Sequence, residues 1–315
     1  MEYNPPWIFK FAHINTCFPT FFRKIKIKFT RERINTPDGD FLDLDWYKNS
    51  NDKILILCHG LEGSSNSQYI HATAKYFGEK GWDTLAMNYR GCSGEMNKKP
   101  CLYHSGFTSD LELLIEKVKS YKKLAIVGYS LGGNLVLKYL GERNIYPDNL
   151  LCGMAVSAPC DLYANSLALK APRNFIYRVF FVNKLRKKGI AKAKLYPFLF
   201  DENTITKLKY IDEFDTLITA PTFGFNDSTD YYKKMSSINF ISNINIDTFI
   251  LTPQDDPIMA PECYPYEEAK NNPHILLETP KYGGHVGFSQ IKDYPYYLEQ
   301  RLYEYVKSIE DKKRK

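Results

Sequence analysis

The residues with the most chemical promise in this chain are Gly128-Tyr129-Ser130-Leu131-Gly132, a G-x-S-x-G pattern. It follows the apolar run KLAIV and opens LGGNLVLKYL, so it occupies a strand-to-helix turn. A turn this sharp holds the serine in strained backbone angles, demands small neighbours, and aims Oγ away from the sheet. Gly128 and Gly132 meet that demand. A serine hydroxyl is a poor nucleophile at neutral pH and needs a histidine to take its proton, with an acid to orient that histidine.

Both partners lie downstream in the order serine, acid, histidine. His285 sits in Tyr282-Gly283-Gly284-His285-Val286-Gly287-Phe288, a tight loop that follows a strand-like run. His13, His71 and His274 lack such a setting, and His59 and His104 lie near motifs but precede the serine. The acid should end the strand before the histidine, where Thr252-Pro253-Gln254-Asp255-Asp256-Pro257 offers two carboxylates. Asp256 is the choice, with Asp255 one residue away as the alternative. The negative oxygen of an acyl-transfer intermediate needs two backbone N–H donors, and Leu131 and Leu61 occupy the fitting positions. Leu131 opens a helix whose positive end favours an anion, and Leu61 follows Cys58-His59-Gly60 at a strand end.

The elements that must hold these residues read as βαβ units. Ile54–Cys58, Thr84–Met87, Leu124–Val127 and Met154–Val156 are near-continuous apolar runs, as parallel strands covered on both faces require. Gln68–Lys80 reads as a helix stopped by Gly81, and DLELLIEKVKSY as an amphipathic helix with Asp110 at its positive end. Upstream, KIKIKFTRERINTPDGDFLDLDWY alternates around Asp38-Gly39 and reads as an antiparallel edge hairpin. Arg90, at a strand end, fits either the rim of the site or a structural ion pair.

From Cys160 to Asn243 the strand-helix alternation stops and the chain becomes basic and helical; strands resume at Asp247–Leu251 and Ile275–Glu278, before a tyrosine-rich closing helix. The expected organisation is a core in two parts, 1–159 and 244–315, around an inserted helical cap at 160–243. In the cap, Phe175, Tyr177, Phe180, Phe181, Tyr196 and Phe198 could cover an acyl chain or pack the cap's own core.

Composition limits the alternatives. Hydrophobic residues are 44% and charged residues 25% of 315, and no apolar run approaches the ~18 residues that span a bilayer. The opening stretch lacks the uninterrupted apolar core of a secretory signal, and the seven cysteines are odd in number and scattered. Both point to a reducing, cytoplasmic setting with buried thiols. The net charge of +6 is concentrated in local lysine-rich stretches, and no zinc-finger spacing or RNA-binding signature accompanies it, so no nucleic-acid partner is expected. Neither a metal nor another cofactor is implied. Trp7, Phe9, Phe11, Phe18, Phe21 and Phe22 interleave with Lys10, Arg23 and Lys24. Packing across the sheet edge is the expected use of this segment, and peripheral contact with a membrane is the alternative.

HGLEGSSNSQYI, NYRGCSG with YHSGFTSDL, GYSLGGN, VSAPCDL, QDDP and GGHVGF, in this order, resemble the YheT-like branch of the α/β-hydrolase superfamily. The likeness runs from the N-terminal PPWIFKFAHINT to Phe288. It implies an α/β-hydrolase fold with a mostly parallel eight-stranded sheet flanked by helices, a helical cap, a Ser130, Asp256, His285 triad and carboxylesterase activity on small or lipid-like esters. Pro253 departs from the small residue common at that point of the acid turn. The resulting expectation is ester cleavage through an acyl-enzyme on Ser130. An acyltransferase or thioesterase with the same triad is the alternative, and a non-catalytic binding protein on this scaffold is a further one.

Overall fold

The structure is a computed structural model and describes residues 2–292 and 294–312. Eight strands form one sheet: β1 (Thr30–Asn35), β2 (Phe41–Tyr47), β3 (Lys53–Cys58), β4 (Asp83–Asn88), β5 (Lys123–Tyr129), β6 (Leu150–Val156), β7 (Thr248–Leu251) and β8 (Ile275–Glu278). Their spatial order is β1-β2-β4-β3-β5-β6-β7-β8. β2 runs antiparallel to β1 and β4, and every other pairing is parallel. The apolar runs of β3 to β7 are buried because helices cover both faces, as parallel strands require.

One face carries the helices Thr108–Lys117 and Leu131–Gly141, and the other the helices Gln68–Glu79 and Tyr297–Lys312. The helix from Thr108 stops at Lys117, short of the full DLELLIEKVKSY stretch. Gly81, just beyond the end of Gln68–Glu79, adopts φ +81°, the left-handed conformation that ends helices at low cost in glycine.

The edge hairpin forms as its pattern predicts, although KIKIKF does not join it and β1 starts only at Thr30. Its register sets Arg31 opposite Asp45 and Arg33 opposite Asp43, and both pairs close as two-pronged ion pairs. The parallel strands align their carboxyl ends along one edge, where βα loops can meet. From there issue the loops carrying Leu61, Ser130, Asp256 and His285. Between β6 and β7 the described chain has no strand; its longest helix is Phe175–Leu195. All seven cysteines are free thiols; Cys58, Cys152, Cys160 and Cys263 are buried as expected, whereas Cys17, Cys92 and Cys101 are only partly so. Among the described residues no helix is long and apolar enough to cross a membrane.

The turn between β5 and its helix tolerates no side chain at its glycines. A Cβ on Gly128 would lie 1.9 Å from the Gly132 carbonyl oxygen, and one on Gly132 would lie 2.4 Å from the Cys58 carbonyl oxygen. Both obstacles are backbone, which cannot swing aside. Gly132→Ala should therefore lose about 3 kcal/mol of stability or fail to fold, measured by thermal unfolding of the purified protein against wild type.

Candidate active site

Ser130 sits at φ 53° and ψ −122°, between the end of β5 and the first residue of the helix Leu131–Gly141. Its amide donates to the Val156 carbonyl at 2.8 Å, which ties the turn to the neighbouring strand. The conformation costs on the order of 1–3 kcal/mol for a residue with a Cβ, and it persists because packing on every side over-determines it.

His285 lies between Ser130 and Asp256. Its Nε2 is 2.9 Å from Ser130 Oγ and its Nδ1 is 2.8 Å from Asp256 Oδ2. The carboxylate partner makes Nδ1 the protonated nitrogen, leaving Nε2 to accept from the serine hydroxyl. Asp256 is buried and its other oxygen accepts from the Ile258 amide. Asp255 points elsewhere: its Oδ1 accepts from the Gly284 amide at 2.9 Å, bracing the loop that carries the histidine. Burial pushes the Asp255 carboxyl up to about 6, with Asp256 beside it adding to the rise against the lowering effect of the Gly284 bond. The Pro253 that interrupts the motif packs against this loop, because a Cβ on Gly283 would meet its ring at 2.3 Å.

The loop itself is held from the other end of the chain. Thr16 Oγ1 accepts from the His285 amide across 269 residues, and Asn15 bonds Ser289 through both its side chain and its carbonyl. Both belong to the helix Ala12–Phe22, which approaches so closely that a Cβ on Gly287 would lie 2.2 Å from the Asn15 carbonyl oxygen. Asn15 and Thr16 end the PPWIFKFAHINT stretch of the family likeness, but no local spacing reveals their role, which exists only through this long-range contact.

Leu61 lies in a loop pinned on both sides. The Gly60 amide donates to the Tyr69 hydroxyl, and the Glu62 amide donates to the Tyr103 hydroxyl. The Tyr103 hydroxyl in turn donates to the Glu62 carboxylate, which also receives Lys188 at 2.8 Å. A Cβ on Gly60 would sit 3.1 Å from Ser130 Cβ, so this loop runs directly beside the serine. His59 is a structural bracket: Nδ1–H donates to the Gly60 carbonyl, Nε2 accepts from the Tyr89 amide, and burial pushes its imidazole down to about 3, keeping it neutral. Tyr69 and Tyr103 fall within HGLEGSSNSQYI and YHSGFTSDL, although no spacing reveals their bonds to this loop, and Lys188 carries no local signal.

Ser130, Leu61 and Leu131 line one cavity of about 830 Å³ including its open mouth. Its apolar wall includes Leu162, Leu169, Phe181, Leu185 and Phe214, and its polar wall includes Asp215, whose carboxylate receives the Tyr232 and Thr219 hydroxyls. Burial pushes that carboxyl up to about 6. Of the six aromatics that could cover an acyl chain or pack the segment's own core, only Phe181 lines the cavity. Phe175, Phe180 and Phe198 are exposed, Tyr177 bonds His13, and Tyr196 donates to the Lys98 carbonyl. A helix turns one stripe inward every 3.6 residues, so Phe181 and Leu185 face the cavity while Ile176, Val179 and Phe180 face out. Arg90 resolves as a structural ion pair, clasping Asp110 with two bonds and Asp38 with a third, away from the cavity. Arg23 is buried against Glu299, so it is not a surface cation.

The chain matches the sequence model of the α/β hydrolase fold over residues 53–290. It belongs to the α/β-hydrolase family. It is similar to YheT of Escherichia coli strain K12, a provisionally designated esterase, at 35% identity covering 91% of this chain and 87% of that protein. Mouse phospholipase ABHD3 is 30% identical over 84% of this chain and 67% of its own length, and Saccharomyces cerevisiae monoacylglycerol lipase is 28% identical over 95% and 67%. Among solved structures, the Pyrococcus furiosus esterase Pf2001 superposes with a TM-score of 0.62 at 21% identity, covering 98% of each chain. At that identity the superposition speaks for the fold.

The two adjacent aspartates should separate by pH. A carboxyl whose folded pKa is raised binds its proton more tightly in the folded state, so its stabilising effect is complete at low pH and is lost as pH rises from about 4 through about 6. Asp255→Asn retains an oxygen for the Gly284 amide and removes that loss. Melting temperatures at pH 4, 5, 6 and 7 should show the variant gaining on wild type across this window; a constant offset would contradict the assignment.

Proposed function

We propose that this carboxylic ester hydrolase of the α/β-hydrolase fold works by two-step acyl transfer on Ser130, with His285 as general base and Asp256 as orienting acid. The observation that supports this reading is the hydrogen-bonded line from Ser130 Oγ through His285 to Asp256, at the wall of a largely apolar cavity. His285 Nε2 takes the hydroxyl proton as Ser130 Oγ bonds to the ester carbonyl carbon. The negative oxygen rests on the Leu61 and Leu131 amides, the second at a helix N-terminus whose dipole favours the charge. Collapse expels the alcohol, which leaves with the proton held by His285. Water then adds to the acyl-enzyme, giving its proton to His285, and the acid departs as Ser130 regains its hydrogen.

Residues 160–243 act in this reading as a cap inserted between core segments 1–159 and 244–315, roofing the serine with the acyl-binding wall. The aliphatic lining around Leu162, Leu169 and Leu185 suits the hydrocarbon part of a small or lipid-like ester. The names of the phospholipase and monoacylglycerol lipase relatives agree with that class.

Hydrolysis of p-nitrophenyl esters from acetyl to palmitoyl tests the reading. Ser130→Ala and His285→Ala should each lower kcat by on the order of 10⁴-fold or more, with fluorophosphonate labelling at Ser130 in wild type alone. Asp256→Asn should lose roughly 10⁴-fold, whereas Asp255→Asn should stay within about tenfold of wild type. Absence of turnover and labelling in folded wild type would overturn the proposal. Leu169→Trp, which fills the cavity wall, should shift the preferred acyl chain to a shorter one, measured as kcat/KM across the same ester series.

A further inference from the structure

Two stretches of this chain carry no aspartate or glutamate at all. Residues 3–31 contain Lys10, Arg23, Lys24, Lys26, Lys28 and Arg31 without one acidic residue, and residues 162–200 contain nine lysines and arginines without one. Some of these cations are used internally: Arg23 pairs with Glu299, Arg31 with Asp45, Lys188 with Glu62, and Lys192 donates to carbonyls at Asn97 and Lys99. Lys10, Lys24, Lys26, Lys28 and Arg173 remain exposed.

The same two stretches expose large apolar side chains. On the N-terminal segment Trp7 is 73% exposed, Phe21 70% and Phe22 66%, with Phe11 and Ile14 also largely open. On the helix Phe175–Leu195, Ile176 is 75% exposed, alongside Phe175, Val179 and Phe180. Tyr177 joins the two segments: His13 bonds and stacks on it, and Cys17 approaches its hydroxyl. On Ala12–Phe22, Asn15 and Thr16 turn inward to the His285 loop, His13 and Cys17 turn to Tyr177, and Ile14, Phe21 and Phe22 are left to solvent. A soluble surface seldom carries apolar side chains at this density without a use for them.

We infer that these two segments form a docking face for an anionic lipid bilayer, which seats the aromatic side chains at the headgroup boundary with the cations against the lipid phosphates. Aromatic and aliphatic residues interleaved with cations, in stretches free of acidic residues, match the chemistry of such a surface on both counts. Its position gives it a purpose. The helix that presents Ile176 and Val179 outward lines the cavity inward with Phe181 and Leu185, so the docked face adjoins the wall that receives an acyl chain. An ester held in the bilayer would then reach Ser130 without its hydrocarbon crossing water.

The inference goes beyond the acyl-transfer reading and is tested in the Ser130→Ala protein, so the two can fail separately. That protein is floated with vesicles of phosphatidylcholine and phosphatidylglycerol, beside vesicles of phosphatidylcholine alone and beside the variant with Trp7→Ser, Phe21→Ser and Ile176→Ser. Recovery with the anionic vesicles should fall at least about tenfold in the variant and in roughly 1 M salt, where the screening length is about 3 Å. Trp46 and Trp82 are buried, so Trp7 should supply the blue shift in fluorescence on vesicle addition. With Ser130 restored, the same three substitutions should leave hydrolysis of a soluble p-nitrophenyl ester unchanged, which establishes that the variant is folded. Failure of the unsubstituted protein to float, or equal flotation of both proteins, would overturn the inference. So would light scattering that finds a dimer without vesicle binding, dissolved to monomer by the substitutions, since the face would then serve a second copy.

Discussion

The site hangs on the close approach of backbone to backbone at the turn from β5 into its helix. Gly128, Gly132 and Gly133 let that helix start against the carbonyl oxygens of Cys58 and His59 and the Cβ of Ala158. This proximity holds Ser130 in a left-handed conformation and places its hydroxyl beside the loop from β3. Strain at one residue is stable here because three strands and a helix meet around it, and relief at Ser130 would require all of them to separate.

The histidine loop solves the matching problem from the far side. Gly283, Gly284, Val286 and Phe288 all have positive φ, two of them without the freedom of glycine. Such a loop does not stand alone: Asp255 grips it at Gly284, Ser157 receives the Val286 amide, and the helix Ala12–Phe22 clamps it through Asn15 and Thr16. The two adjacent aspartates thereby divide two tasks. One touches the imidazole and the other holds the backbone beneath it, the latter with its ionisation made costly by burial.

The loop holding Leu61 is tied to the helical segment above the sheet through Lys188 on Glu62, and through Lys184 on the Glu62 carbonyl. Both lysines come from the helix Phe175–Leu195, whose inner stripe lines the cavity and whose outer stripe is apolar and exposed. A displacement of this helix would reach the neighbourhood of Ser130 through these two ammonium groups as well as through the cavity wall. The surroundings of Ser130, the cavity wall and the outer apolar surface thus share one structural member.

What the sequence determined by itself was everything written in local contiguity. The apolar runs of β3 to β7 declare buried parallel strands, Asp38-Gly39 declares the hairpin, and a serine between glycines after a strand declares the elbow, because each depends on the geometry of a few neighbouring residues. The order of Ser130, Asp256 and His285 was legible in the same way, down to a choice between two aspartates. Only the tertiary structure sets Asp256 against the imidazole and Asp255 against the Gly284 amide, since a one-residue step along a turn reverses which carboxylate faces the ring. It alone gave Asn15, Thr16, Tyr69, Tyr103 and Lys188 their partners; the first four fall inside stretches of the family likeness, but no local spacing says what they hold. It also turned most of the aromatics on Phe175–Leu195 away from the cavity and sent Arg23 and Arg90 into ion pairs. The reason is common to all of these: a side chain's partner depends on which face of its element turns inward, and that is set by packing between segments far apart in the chain.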